Sequence, residues 1–306
     1  MNNKRNIWIF GGTGFIGKAL VKQLSENPQN ILHLLVHKNI PYRFLEDFNT
    51  FTGNLQYFDY QWLEKYPPDI IFHLARLGGS NTLTRYFAAK KGEKANQKLV
   101  NYLSGLKSPP VVVYVSGSLM YGHQVVGKEA NEQSELLPAS YARYYIHGEK
   151  PWIDAQSKQL LDIRFARPGW IIGPNSWFRF FYWNPFLQTG RVPIYGDGWQ
   201  LMSLVHLDDC AAQIINLAEH GMKFQNLNIF SGTPITQQEF VETLAKLLHT
   251  KIELKSLRPY GSTVAEAFIS SIPLKTNFPQ LLGRYQHQYP NIEAMLQKTI
   301  SILEHE

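Results

Sequence analysis

A single cysteine, Cys210, stands among 306 residues. No disulfide framework can form within such a chain, and a reducing compartment, the cytoplasm, is the expected location. No apolar run is long enough to span a bilayer, and residues 1–5 lead into an apolar stretch without a signal-peptide pattern. Neither a membrane anchor nor secretion is therefore expected. Charge of one sign is scarce as well: 30 Lys and Arg against 24 Asp and Glu leave a net +6, with the cations scattered along the chain. A nucleic-acid surface needs a basic stripe, so no nucleic-acid partner is expected. The ten histidines form no cluster with ligand spacing, which argues against a metal site. Internal repeats and low-complexity segments are missing too. What is present, 44% hydrophobic residues, suffices for a large core in one or two domains.

The most informative stretch is Gly11-Gly12-Thr13-Gly14-Phe15-Ile16-Gly17, directly after the apolar run Ile7-Trp8-Ile9-Phe10. Strand, glycine-rich turn and amphipathic helix in that order cradle a dinucleotide pyrophosphate. Gly11 permits the tight turn, Gly14 lets the backbone approach the phosphates, and Gly17 lets helix and strand pack closely. The helix N-terminus then offers unpaired N–H groups and the positive end of its dipole. Thr13, Phe15 and Ile16 belong to the same turn and are expected to touch the cofactor. A ligand-free glycine turn is the plainer alternative, and the flanking strand and helix weigh against it.

Strand and helix signals then alternate. Strands are expected at 31–36, 54–58, 69–74, 111–115, 161–166 and 227–230, with helices over about 82–106, from about 140, and at 207–219. The β-branched run Val111-Val112-Val113-Tyr114-Val115 suits a parallel sheet buried on both faces. This alternation predicts a Rossmann-type α/β fold, a doubly wound parallel sheet with a smaller C-terminal substrate lobe. Residues 1–173 are expected to form the dinucleotide-binding domain, with 201–232 returning to it; 174–200 and 233–306 form the lobe.

The motifs carry a family resemblance from residue 6 to about residue 255. The glycine turn is followed by His73-Leu74-Ala75, Tyr121-Gly122, Pro138-Ala139-Ser140-Tyr141, Arg167-Pro168-Gly169 and Gly173-Pro174. Tyr195-Gly196-Asp197-Gly198 and Val205-His206-Leu207-Asp208-Asp209 complete the set. The chain resembles the extended short-chain dehydrogenases/reductases, the class of NAD(P)-dependent nucleotide-sugar epimerases and dehydratases. The resemblance implies cofactor contacts from Leu74, Ala75 and Pro168. It also implies a structural role for His206-Asp208-Asp209, with Cys210 packed in the helix that follows. Relatives commonly dimerise, and segments 82–106 and 140–158 are the expected homodimer surfaces.

The resemblance also implies a catalytic set, and here the chain departs from it. The family uses a Tyr as proton donor or acceptor, a Lys four residues later that lowers its pKa and holds the nicotinamide ribose, and a Ser or Thr that orients the substrate oxygen. Tyr141 occupies the tyrosine position, but Tyr145 stands where the lysine belongs. Lys150 and His147 fall off that helical face. The hydroxyl position lands on Gly117, flanked by Ser116 and Ser118; a local bulge would bring Ser118 into place. The family's helical Asn falls on Gly92, with Asn96 one turn later either a substitute or a surface residue. An unassisted phenol, with a pKa near 10, stays protonated at neutral pH, so Tyr141 suits an acid that polarises a carbonyl. Simple packing of Tyr141, Tyr144 and Tyr145 is the alternative.

Cofactor and substrate choices follow from other positions. NAD-selective relatives place an acid after the second strand; here stand His37 and Lys38, with Arg43 nearby, so NADP(H) is favoured over NAD(H). Sugar-nucleotide enzymes of the class carry an Arg that grips the substrate diphosphate at the position of Met202. The aromatic run Asn175–Phe186, with Trp177 and Arg179, is expected either to line a pocket beside Tyr121 for an apolar or aromatic small molecule or to form a core or interface. The favoured reading is an atypical reductase, or a reductase-derived isomerase or cyclase. Two alternatives stand beside it: a non-catalytic dinucleotide-binding structural or regulatory protein, and a nucleotide-sugar epimerase with displaced active-site residues.

Overall fold

The computed structural model describes residues 4–37, 45–79 and 81–306; the side chains of Thr82, Ser140 and Tyr141 fall outside the description. Strands β1 (Arg5–Phe10), β2 (Asn30–Val36), β3 (Asn49–Thr52), β4 (Ile70–His73), β5 (Val111–Val115) and β6 (Ile163–Pro168) pair in parallel. With Leu227–Ile229 beyond β6, they make a seven-stranded sheet ordered β6-β5-β4-β1-β2-β3. Ile7, Trp8, Ile9 and Phe10 are all fully buried, as expected of a central parallel strand covered on both faces. Each such side chain contributes about 1.5–3 kcal/mol relative to exposure.

The helices α1 (Phe15–Ser25), α2 (Gln61–Lys65), α3 (Thr82–Ser104) and α4 (Tyr145–Ser157) connect these strands. A reciprocal capping box of Asn81 and Thr84 starts α3. The core between helices and sheet joins Leu99 and Leu103 of α3 and Trp152 of α4 to Trp8, Tyr114 and Phe165 of the sheet. A buried polar tie runs through it: the His73 ring is 3.0 Å from Asn96 Oδ1, and Asn96 Nδ2 donates to the Gly148 carbonyl at 2.8 Å. Asn96 is thus an internal brace between β4, α3 and α4, not a surface residue.

Three local expectations change. The strand expected at 54–58 is a 3-10 turn, Leu55–Tyr57, because the Asn54 side chain accepts from the Gln56 and Tyr57 amides and closes the backbone; pairing shifts upstream to β3. The helix expected from Ser140 begins as a 3-10 segment, Ser140–Tyr144, and becomes α-helical only at Tyr145. The four-residue separation between Tyr141 and Tyr145 therefore crosses a change of helical pitch. Strand alternation does not govern Ser116 and Ser118 either, because β5 ends at Val115 and Ser118 opens another 3-10 turn, Ser118–Tyr121.

The chain forms two compact units, and their bounds differ from the expected domains. The first comprises 1–116, 144–166 and 211–227; the second comprises 117–143, 167–210 and 228–306. Residues 117–143 and 201–210 pack with the second unit because they build its small sheets and satellite core rather than the large sheet. Met202 and Leu201, for example, pair with Ile235 and Thr236, and Tyr121 packs with Ala130, Ile272 and Leu274. The second unit's main core is aromatic, with Phe178, Tyr182, Tyr195, Phe240 and Phe268 at its centre. Buried Asp209 clamps its C-terminal stretch, accepting from the Gln288 and Tyr289 amides at 2.8 and 2.9 Å.

Candidate functional site

In the first unit, the chain runs outward from β1 through β2 to β3 on one side and from β4 through β5 on the other. The carboxyl ends of β1 and β4 therefore part at a topological switch point, where an open α/β sheet forms its ligand crevice. A cavity of about 920 Å³ lies there, lined by residues following β1, β2, β3, β4 and β5 and by α3.

The glycine turn contributes Gly11, Thr13, Gly14, Phe15, Ile16 and Gly17 to its wall. Gly11 has φ +91°, and a Cβ there would stand 3.0 Å from the Leu74–Ala75 backbone. At Gly17 a Cβ would meet the Gly11 carbonyl oxygen at 2.1 Å. Only glycine at both places lets the turn, the segment after β4 and α1 come this close. Gly14 caps α1 without a side-chain bond, and the first turn of α1 holds no acidic residue. The helix N-terminus thus presents its amides and dipole with no carboxylate of its own beside them, an arrangement that fits a phosphate.

His37, Leu74 and Ala75 also line the cavity. Lys38 and Arg43 lie outside the described residues, and Pro168, which ends β6, is not among the lining residues. Sequence reasoning missed Gly53–Gln56 on the β3 side, Arg76 and Lys91. The segment directly after β4 was the available signal, since residues after the strands surrounding a switch point face its crevice.

At the β4–β5 end, Arg76 donates from Nη2 to the Val115 carbonyl at 3.2 Å, and its Cζ lies 4.4 Å from the centre of the Tyr145 ring. Ser116 lines the cavity and donates to Oε1 of Glu149, a fully buried residue on α4. His147 faces Glu93 at 3.5 Å and Lys150 pairs with Asp154 at 3.0 Å. Burial pushes the His73 imidazole down to about 4, keeping it neutral beneath this end of the sheet.

The remaining expected residues lie in the second unit. Ser118 is buried at the start of its 3-10 turn. Tyr121 is 1% exposed and donates to Asn228 Oδ1 at 2.8 Å. Met202 is buried in a short strand, and Arg179 pairs with Glu306. Trp177 packs among Trp170, Tyr182, Phe240 and Phe268. Phe178, Tyr182 and Trp183 of the run 175–186 therefore supply core, whereas Phe180 is exposed.

A family model described as the NAD-dependent epimerase/dehydratase family matches residues 7–229. Among curated proteins, the chain is 22% identical to a putative GDP-L-fucose synthase 2 of Arabidopsis thaliana, over 83% of this chain and 80% of that one. Among solved structures it is similar to the UDP-N-acetylglucosamine 4-epimerase of Methanobrevibacter ruminantium M1 in complex with UDP-N-acetylmuramic acid. That likeness has a TM-score of 0.80 at 21% identity, over 99% of this chain and 100% of that one. The dTDP-glucose 4,6-dehydratase of Bacillus anthracis in complex with NAD gives 0.79 at 18% identity, over 99% and 97%. At these identities the structural likenesses establish the fold.

Proposed function

The chain belongs to the NAD-dependent epimerase/dehydratase family, and from that premise we propose that it is an enzyme that binds NADP(H) in preference to NAD(H) and acts on a carbonyl or hydroxyl group of a small molecule. The observation carrying this reading is the cavity at the switch point, with the glycine turn in its wall and an uncapped helix N-terminus beside it. The amides at the start of α1 hold the pyrophosphate. His37, in the cavity wall after β2, meets the adenosine ribose where an acid would select NAD, and a ring N–H there suits a 2′-phosphate. When bound, the cofactor supplies two-electron redox chemistry.

Tyr141 is the acid in this reading. Its side chain lies outside the described residues, so the role of proton donor to a substrate carbonyl oxygen rests on its place in the family motif. Ser116, which lines the cavity and is tied to Glu149, or Ser118 is the orienting hydroxyl in this reading. Buried Met202 supports a substrate without a diphosphate at that position. The run 175–186 gives no support to an aromatic substrate, because its Phe178, Tyr182 and Trp183 pack in the second unit's core.

Titration of the protein with NADPH, NADP, NADH and NAD, read by tryptophan quenching, tests the reading. NADPH is expected to bind tightest, after which carbonyl compounds, UDP-sugars included, are screened against wild type and Tyr141→Phe. Absence of binding by any dinucleotide overturns the proposal. Tyr145 at the lysine position favours one other reading, a non-catalytic dinucleotide sensor; tight binding without turnover across the panel supports that one instead.

A further inference from the structure

The cavity has two ends. One lies after β2 and β3, with Leu35, His37 and Gln56; the other lies after β4 and β5, with Arg76, Val115 and Ser116. The glycine turn after β1 stands between them, because β1 lies between β2 and β4 in the sheet. A dinucleotide whose pyrophosphate sits on that turn sends its two halves in opposite directions. The adenosine ribose goes to the end of β2, so the nicotinamide half must go toward Arg76. We infer that Arg76, held against the ring of Tyr145, is the cation that receives the nicotinamide ribose and its phosphate. This rests on the dinucleotide-binding reading above.

Among the described contacts, two hold the guanidinium before any ligand arrives: the 3.2 Å bond to the Val115 carbonyl and its place over the Tyr145 ring, 4.4 Å from the ring centre. The charge does not titrate in any physiological range. Tyr145 acts through Arg76 and is a positioning residue: its ring is the platform that limits the arginine's rotamers. A lysine at 145 would instead place a second cation against Arg76. The residue that departs from the family pattern and the arginine that the pattern does not foresee thus form one device. Lys91, on α3, is another cation lining the cavity, and it lacks such a platform among the contacts described.

Isothermal calorimetry of the full chain with NADP and with 2′,5′-ADP, which carries only the adenosine half, separates the ends. Arg76→Gln is expected to weaken NADP by roughly 10-fold, the loss of one charge-assisted contact, while 2′,5′-ADP changes by less than about 2-fold. Tyr145→Leu weakens NADP selectively by a smaller factor, and Tyr145→Phe, which keeps the ring, restores it. NAD and 5′-AMP replace the two ligands if wild type prefers NAD. Equal losses for both ligands, no loss for either, or a selective loss in Lys91→Gln instead of Arg76→Gln overturns the inference. Failure of wild type to bind any dinucleotide overturns the parent reading and this one with it; wild-type binding with an unaffected Arg76→Gln overturns this one alone.

Discussion

The glycine turn and Arg76, which lies over the Tyr145 ring, line one cavity but are made of different material. The turn is a backbone device: its shape comes from positive φ at Gly11 and from the absence of a Cβ at Gly17. The other end is a side-chain device, a guanidinium on an aromatic ring with a serine braced by a buried glutamate. A backbone device leaves no alternative residue, because any side chain meets the main chain itself. A side-chain device specifies a charge at a place, and more than one residue on more than one element can deliver it.

The strongest way to break this contrast is Gly17→Val. Its Cβ would lie 2.1 Å from the Gly11 carbonyl oxygen and 2.8 Å from the Gly12 backbone, so helix and turn must separate. Calorimetry should find dinucleotide affinity reduced at least ~100-fold, and thermal melts should show a lower midpoint, consistent with severe backbone strain. Retained affinity would mean that the backbone cradle is dispensable. Tyr141→Phe tests the proposed chemistry by kinetics. Turnover of any substrate found should drop on the order of 10²–10⁴-fold with dinucleotide affinity unchanged; an active Phe variant would remove Tyr141 from the chemistry.

The sheet beneath both ends responds to pH through His73. Its pKa falls from 6.5 unfolded to about 4 folded, so between those values the unfolded chain binds a proton that the native state refuses. Stability is full above pH 6.5 and is lost as pH falls toward 4, by about 3 kcal/mol for this one residue. Urea melts at pH 7.5 and 4.5 measure it, and His73→Gln should show a shallower decline. A smaller effect is expected at the brace: Glu149→Ala removes the acceptor of the Ser116 hydroxyl inside a packed region and should cost about 1–3 kcal/mol. The mildest change sharpens the comparison from the glycine side. A Cβ at Gly92, inside α3, meets nothing within 4 Å. Gly92→Ala should therefore stabilise by about 0.5–1 kcal/mol, a rise where Gly17→Val gives collapse.

Most of the first unit was legible because hydrophobic period and glycine spacing are local signals. The run Val111–Val115 and the turn 11–17 each announce their structure within a few residues. The aromatic run 175–186 was ambiguous for the same reason: composition reports that rings are clustered, whereas only packing tells whether they face a ligand or one another. Asn54 shows the limit at short range, since one side chain accepting two amides converted an expected strand into a 3-10 turn.

The sequence by itself determined the α/β alternation and the glycine turn, both properties of residues near one another along the chain. Tertiary structure alone decided that Arg76 lies on Tyr145, 69 positions away in sequence, and that Ser116 is tied to Glu149, 33 positions away. Such pairings depend on which strand ends the sheet order brings side by side, and no local pattern of hydrophobicity or charge encodes that order.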